Sequence, residues 1–570
     1  MDLSNDAGSA WNPGVGTGIP AEFRALETIF RPECVFSQQK EVEELAGLTG
    51  LPHEELTVFR PQRLALHELI IRVTADIAVA EGEEEETFGH NFRRIARTIW
   101  DQDIAPHMGA IEQTYAELRQ QAADQVRQIL ADTLFPPPAA PVPGKRRGFP
   151  FGLFGRTATA PPPRGSLPAA GAESAEAREH RVIAEFKAAG LATDDPLRKA
   201  VYRSLYRMLG AIAVKRGRLG ADQELLARLV SQHVGNHYGA QRIGQLIAPL
   251  FDAAIQREAY ARTTNRPAPQ LISLKGAAAA GKSSLRPMIK QVMREQGIEA
   301  DGYATISPDV WRRLLLDYEA LGPAYKYAGH LTSRELIVID GKLDRYIRFK
   351  AARDHAIPHF LVDRFRFDSF SGEQVARILH NTYARYVDTM LMYFIVTPPE
   401  ETVERGWLRA LERGRYKAVE DFLGHSVEAY SGMPKILFKW LAHQRPDYRY
   451  FFLDNRVPKG TFPTTIALGN QHRMTIYDPL SLIDIERYQK INIHAVSRDQ
   501  VYPSNEDFSV AANAGFLKEI LRRIPQVDFV DRPDGNCYAR CHDGRCELLD
   551  ATVVATLPDA VREVLAVVGV

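Results

Sequence analysis

Eight residues carry the clearest chemistry in the chain: Gly276-Ala277-Ala278-Ala279-Ala280-Gly281-Lys282-Ser283. This is the G-x-x-x-x-G-K-[ST] spacing, in which a small-residue loop wraps a phosphate chain. Glycine lets the backbone approach an anion without a Cβ in the way, and N–H groups at a helix start supply donors and positive dipole. Lys282 is placed to reach the β- and γ-phosphates, and the Ser283 hydroxyl to ligate magnesium. With Ser284, these residues form the expected site for ATP and Mg2+. Pro287 falls early in the helix that follows, where its missing N–H costs little.

A nucleotide loop does not by itself specify a reaction. Transfer of the γ-phosphate also needs a carboxylate for the acceptor's proton, a metal ligand and cations over the moving charge. Asp309, in Ile306-Ser307-Pro308-Asp309-Val310-Trp311, is one candidate carboxylate, and its local sequence reads equally well as a helix cap. Asp363 ends an apolar run and could hold magnesium through water. Arg405, Arg409, Arg413 and Arg415 form either a solvated helix face or a basic lid. The chain has no N-K-x-D, L-S-G-G-Q or D-E-A-D-type segment, which disfavours GTPase, transporter-ATPase and helicase readings.

These groups need elements to hold them. Apolar runs predict strands at 270–275, 302–306, 359–362, 390–396 and 448–453, with a helix after the glycine-rich loop running to about Gln296. Such strands, separated by helical stretches, imply an α/β fold with a parallel sheet and sites at the carboxyl ends of its strands. Leu336–Asp340 fits a strand ending in an aspartate. Leu336, Ile339, Leu343, Tyr346 and Ile347 fit a helix better, and one crossover helix suffices to reach the strand at 359.

The chain from about 270 to 460, within a domain expected at 266–475, resembles the zeta-toxin kinases of toxin–antitoxin systems and related bacterial effectors. The resemblance rests on Gly276–Ser283, the Ile306–Trp311 turn, Pro323-Ala324-Tyr325, Leu361-Val362-Asp363, Glu404–Arg409 with Gly414-Arg415-Tyr416, and Leu453-Asp454-Asn455-Arg456. It implies a P-loop kinase core in which Asp309 is the catalytic base and Arg409 and Arg415, with Lys282, act on the transferred phosphoryl group. The implied reaction is phosphorylation of a hydroxyl on a small metabolite of nucleotide-sugar or dinucleotide type. An antitoxin or a chaperone is the protein partner such a kinase would have. Where the family often carries Glu-Gly after its third strand, this chain has Asp363-Arg364. A polynucleotide-end kinase and an ATP-binding scaffold without phosphotransfer are the competing readings.

The rest of the 570 residues falls into segments: a small, polar tail at 1–21, expected to be disordered, and a helical domain at 22–135. A Pro-rich linker at 136–172 and a helical region at 173–265 follow, and a small α+β extension at 476–570 comes after the kinase segment. In the first helical domain, Ile104, Met108, Ile111, Tyr115, Leu118 and Ala122 mark one face of a long helix. The acidic run Glu81–Glu86 reads as a solvated loop. Within the extension, Asp534-Gly535 and Asp543-Gly544 predict hairpin turns, the second placing Cys541 opposite Cys546. Cys537, Cys541, His542 and Cys546 match no common zinc spacing and read as small apolar residues of a hairpin.

Basic and acidic side chains number 71 each, so no global field favours nucleic acid. No apolar run is long enough to span a bilayer, and the N-terminus lacks a secretory signal's basic and apolar regions. Four cysteines in this length do not make a disulfide scaffold. A reducing cytoplasm is the expected location, with delivery into a host cell by a specialised secretion system as the alternative.

Overall fold

The computed structural model describes residues 8–82, 86–135, 174–364, 383–532 and 535–570. The Pro-rich linker and Asp534 of the first expected turn lie outside them.

The fold is α/β. Five strands form its parallel part: β1 (Gln270–Lys275), β2 (Tyr303–Ile306), β3 (His359–Val362), β4 (Thr389–Val396) and β5 (Asp447–Asp454). They lie in the order β5-β4-β1-β3-β2, all pairs parallel. Each was legible as an apolar run because both faces are covered, leaving little room for alternation. Across β4 and β5, Tyr393 stacks on Phe451 and Phe394 on Phe452, with ring centroids 4.7 Å apart in both pairs. Successive residues point to opposite faces, so these pairs knit both sides of the sheet.

Among the described residues the sheet is mixed rather than parallel, and it has ten strands. β6 (Thr464–Asn470) and β7 (Arg473–Ile476) extend it antiparallel beyond β5. Only two residues join β6 to β7, a length that permits an antiparallel return and no crossover. β8 (Gln526–Val530) then pairs parallel with β7, and β9 (Cys537–His542) and β10 (Arg545–Leu548) complete the edge. The expected C-terminal extension therefore contributes its strands to the same sheet. Its second turn forms as expected, with Asp543 and Gly544 at positive φ and Cys541 directly opposite Cys546. Those two cysteines are joined by a disulfide, which departs from the expected set of reduced cysteines and removes both from any zinc site.

Helices used below are α1 (Pro61–Asp76), α2 (Thr87–Ile99), α3 (Lys282–Glu295), α4 (Ser333–Asp354), α5 (Pro399–Arg413), α6 (Val419–Leu441) and α7 (Pro479–Arg487). Leu336–Asp340 lies within α4, the helical alternative. Helix α3 begins at Lys282, so Pro287 falls inside it, past the first turn, and cannot donate to the Ser283 carbonyl.

By internal contacts the chain forms two units that cut across the sequence segments. One comprises Met1–Cys34, Ala65–Met108 and Gly244–Val570; the other comprises Val35–Leu64 and Gly109–Ile243. The second unit is helical, and three of its helices are capped as their sequences suggest. Ser174, Asp195 and Asp222 accept from the N–H groups of Ala177, Arg198 and Leu225 at 3.1, 3.0 and 2.9 Å. Its core gathers Val182, Ile183, Phe186, Val201, Leu205, Met208 and Ile212, all buried.

In the first unit, residues 8–20 are packed rather than loose. Ala10 sits among Val403, Phe422, Leu423 and Val501, and Trp11 Nε1 donates to Glu404 Oε1 at 2.8 Å. Further along, Ile19, Phe23 and Leu26 cover Leu316, Leu321 and Leu331. The acidic run also departs from its expected solvated state at its first residue. Only 9% of the Glu81 side chain is exposed, and it pairs with Arg286 and with Lys290, the latter at 2.7 Å.

Candidate active site

Strand β1 lies between β3 and β4, and the chain crosses from one side of it to the other after β3. A crevice therefore opens beyond its carboxyl end, the place where open α/β sheets take ligands. The Gly276–Ser283 loop occupies that position and leads directly into α3. Ala279 and Gly281 both have positive φ, 59° and 102°. Bends of this kind turn backbone N–H groups toward a shared concavity.

The loop is tied from behind. Asn455 Nδ2 and Thr397 Oγ1 both donate to the Ala280 carbonyl, at 2.7 and 3.1 Å. A Cβ at Gly281 would lie 2.1 Å from Asn455 Nδ2, so glycine is needed there for contact as well as for φ. Lys282 donates to the carbonyls of Gly276 and Ala277 at 2.8 and 2.7 Å. Burial pushes its ammonium down to about 8, against the opposing pull of Asp363 and Asp309.

Ser283 Oγ donates to Asp363 Oδ2 at 3.3 Å, bringing together the hydroxyl and the carboxylate expected to serve magnesium. Arg286 Nη1 also donates to Asp363 at 3.3 Å and to Ser307 Oγ at 3.3 Å. Glu81, Arg286, Lys290 and Asp363 thus form a buried set of two carboxylates and two cations beneath the loop. The balance of two negative against two positive charges is what makes burial of the two cations tolerable.

Asp309 follows β2 in a short 3-10 turn, Pro308–Trp311. Its carboxylate accepts from Arg312 Nε at 3.0 Å and from Arg415 Nη2 at 2.6 Å. Its side chain is 43% exposed; the surrounding protein desolvates it in part, which works to raise its proton affinity, but the two guanidinium groups outweigh that and hold it well below the usual carboxylate range. Of the four arginines, Arg405 is committed to the Asn455 carbonyl at 2.8 Å and Arg413 to Glu86 at 2.9 Å.

One cavity of about 930 Å3 collects these groups. Ala278, Ala279, Gly281, Lys282, Ser283, Ser284, Asp309, Asp363, Arg409 and Arg415 all line it; Gly276, Ala277 and Ala280 support it from behind the loop surface. After β3, where the sequence departs from the Glu-Gly pattern, Arg364 turns to α4. It lies 2.9 Å from both Asp340 and Asp344.

Sequence reasoning did not find the opposite wall. Asp421, His425 and Glu428 line the cavity from α6, whose remaining inward positions are apolar, including Phe422, Leu423 and Tyr430. Their four-and-three spacing on so apolar a helix was the available signal, since polar groups at helical period mark a wet face. His330 Nε2 lies 3.1 Å from Asp421 Oδ2, and the Lys417 ammonium donates to His425 Nδ1. Burial, reinforced by Lys417, pushes His425 down to about 2, so it is a neutral acceptor. Burial likewise lowers Lys417 to about 7, opposed by Asp421 and assisted by Arg415 and Arg409.

Among the described residues no group of three or more His, Cys, Asp or Glu side chains could hold a metal ion. The Ser283–Asp363 pair is of another kind. One hydroxyl and one carboxylate, with waters and phosphate oxygens, is the donor set magnesium commonly takes. No helix is long and apolar enough to cross a membrane among the described residues. Comparison with protein-family models, curated proteins and solved structures returned no match.

Proposed function

We propose that this protein is an ATP- and Mg2+-dependent phosphotransferase of the zeta-toxin type, acting on a hydroxyl of a small metabolite. The observation that carries the reading is convergence: Lys282, Ser283, Asp309, Asp363, Arg409 and Arg415, from four separate stretches of chain, line one cavity at the carboxyl end of β1.

The loop amides and the Lys282 ammonium hold the β- and γ-phosphates. Ser283 and Asp363 would hold the magnesium ion, which when bound offsets charge on the phosphate oxygens. Asp309 takes the proton of the acceptor hydroxyl as its oxygen bonds to the γ-phosphorus. The bond from that phosphorus to the β–γ bridging oxygen breaks, and ADP leaves. Arg409 and Arg415 neutralise the oxygens of the group in flight, and preorganised cations in a partly closed cavity do this without reorganisation. The acceptor, of nucleotide-sugar or dinucleotide type on the family resemblance, meets the wall formed by His330, Lys417, Asp421 and His425.

The test is incubation of the pure protein with γ-labelled ATP and a metabolite extract, with Lys282→Ala as control. A labelled small molecule produced by the wild type and not by the variant is expected. Label on polynucleotide 5′ ends would replace the reading with a polynucleotide kinase. Slow release of free phosphate, indifferent to the extract, would replace it with an ATP-binding scaffold.

A further inference from the structure

Asp309 is paired with two arginines that differ in exposure and in backbone setting. Arg312 stands three residues further along the same turn. Its Nη1 also donates to the Gly329 carbonyl, to Thr332 Oγ1 at 2.7 Å and to Ser333 Oγ at 3.3 Å. Only 15% of its side chain is exposed. Arg415 comes from the far bank, on the irregular stretch that follows Gly414, where α5 ends in a left-handed residue (φ 65°). A third of its side chain is exposed, 33%.

A carboxylate facing two guanidinium groups cannot also be a ready proton acceptor. A γ-phosphoryl group brings more charge than a carboxylate and binds arginine in the same forked geometry, so it competes for whichever arginine can move. We propose that Arg312 is a positioning residue that keeps Asp309 in place, whereas Arg415 is exchangeable, leaving Asp309 for the γ-phosphoryl group once nucleotide is bound. This rests on the phosphotransfer reading and adds an order of events to it. Donor binding unmasks one oxygen of Asp309, the one now facing Arg415, for the acceptor hydroxyl. Without the γ-phosphate, both oxygens of the base stay paired with arginine.

A built-in reporter makes the exchange observable. Tyr416, next to Arg415, meets Trp407 edge-on at 6.1 Å and Tyr325 edge-on at 5.5 Å. Movement of Arg415 shifts the Tyr416 ring and changes Trp407 emission. The protein is titrated with magnesium and a non-hydrolysable β,γ-imido ATP analogue, and separately with ADP, while binding is followed with a fluorescent ATP derivative. The analogue should change tryptophan emission and ADP should not, and the change should vanish in Trp407→Phe and in Arg415→Ala. Equal responses to the two nucleotides, or none while the fluorescent derivative binds, would overturn the exchange. If the derivative does not bind at all, the phosphotransfer reading itself fails.

The positioning role is read separately. Arg312→Ala should lower transfer to the labelled product about a hundredfold with nucleotide affinity unchanged. Arg312→Lys, which keeps a cation beside Asp309, should recover part of that loss. An alanine variant that transfers at the wild-type rate would remove Arg312 from the mechanism.

Discussion

Gly281 shows how closely the loop depends on single atoms. Its φ of 102° and its contact with Asn455 leave no room for a side chain. Gly281→Ala should therefore cost about 1–3 kcal/mol of stability. It should also weaken nucleotide binding, because Asn455 must release the Ala280 carbonyl. A lowered thermal midpoint with reduced binding of a fluorescent ATP derivative is the expected pair of results. Asp309 gives the opposite pattern. Asp309→Asn keeps the size and loses the proton acceptor, so transfer should fall by about 10²–10⁴-fold with ATP affinity largely retained. A variant that still phosphorylates its acceptor at near wild-type rate would show that another group is the base. At this scale the sequence revealed what spacing encodes, namely the loop and its lysine and serine. Arg312 was hidden because nothing in Trp311-Arg312-Arg313 says which arginine turns inward, and Glu81 because an acidic run looks solvated wherever it occurs.

Glu81 acts between elements. It precedes α2 and neutralises Arg286 and Lys290 on α3, the helix that carries Ser283. Glu81→Gln keeps the shape and removes the charge, so it should destabilise by about 3–5 kcal/mol. That cost should depend on pH. Burial lowers Lys290 to about 8 against the pull of Glu81, so the wild-type native state keeps its proton up to that pH. Without Glu81 the native lysine loses its proton at lower pH, whereas the unfolded lysine is charged in both proteins. The penalty is therefore fullest in mildly acidic solution and shrinks as pH rises towards about 8. Denaturant melts of both proteins across that range would check it, and a penalty that grew with pH would contradict the pairing. The N-terminal stretch is a second such link, since Trp11 reaches Glu404 on α5, the helix that carries Arg409. Trp11→Ala should lower stability by about 2 kcal/mol and open residues 8–20 to proteases. The buried strands announced themselves as apolar runs. β6, Thr464-Thr465-Ile466-Ala467-Leu468-Gly469-Asn470, did not, because it is only partly covered and its apolar run is only three residues long, between two threonines and Gly469-Asn470. The stretch around Trp11 was missed because its small polar composition is that of a tail, and two residues supply most of its anchoring.

At the scale of the whole molecule, the segments that sequence composition suggests are not the units that hold together. Residues 266–475, the segment proposed to carry phosphotransfer, depend on residues well outside that range. His67 and Glu335, both without exposed side-chain surface, lie 2.6 Å apart between α1 and α4, and Lys342 Nζ lies 3.2 Å from His67 Nδ1. Asp76, at the end of α1, takes Tyr346 and Lys350 from α4. At the other boundary, a cut at 475 would split β7 and strip it of β8, exposing a row of backbone donors and acceptors. It would also remove α7, whose Gln489 neighbour reaches the Tyr430 carbonyl of α6 at 3.1 Å. An excised 266–475 fragment would carry Glu335, Lys342, Arg286 and Lys290 without these partners, and unmatched buried charge costs several kcal/mol per site. Against a whole-domain stability of about 5–15 kcal/mol, that is enough to prevent folding. The fragment should melt without a cooperative transition and expose apolar surface to a hydrophobic dye. A chain assembled from Met1–Cys34, Ala65–Met108 and Gly244–Val570 through Gly/Ser linkers should unfold cooperatively and bind the fluorescent nucleotide. If the short fragment alone melted cooperatively and bound nucleotide, the N-terminal helix α1 and the far strands would be accessories to the site rather than parts of its frame.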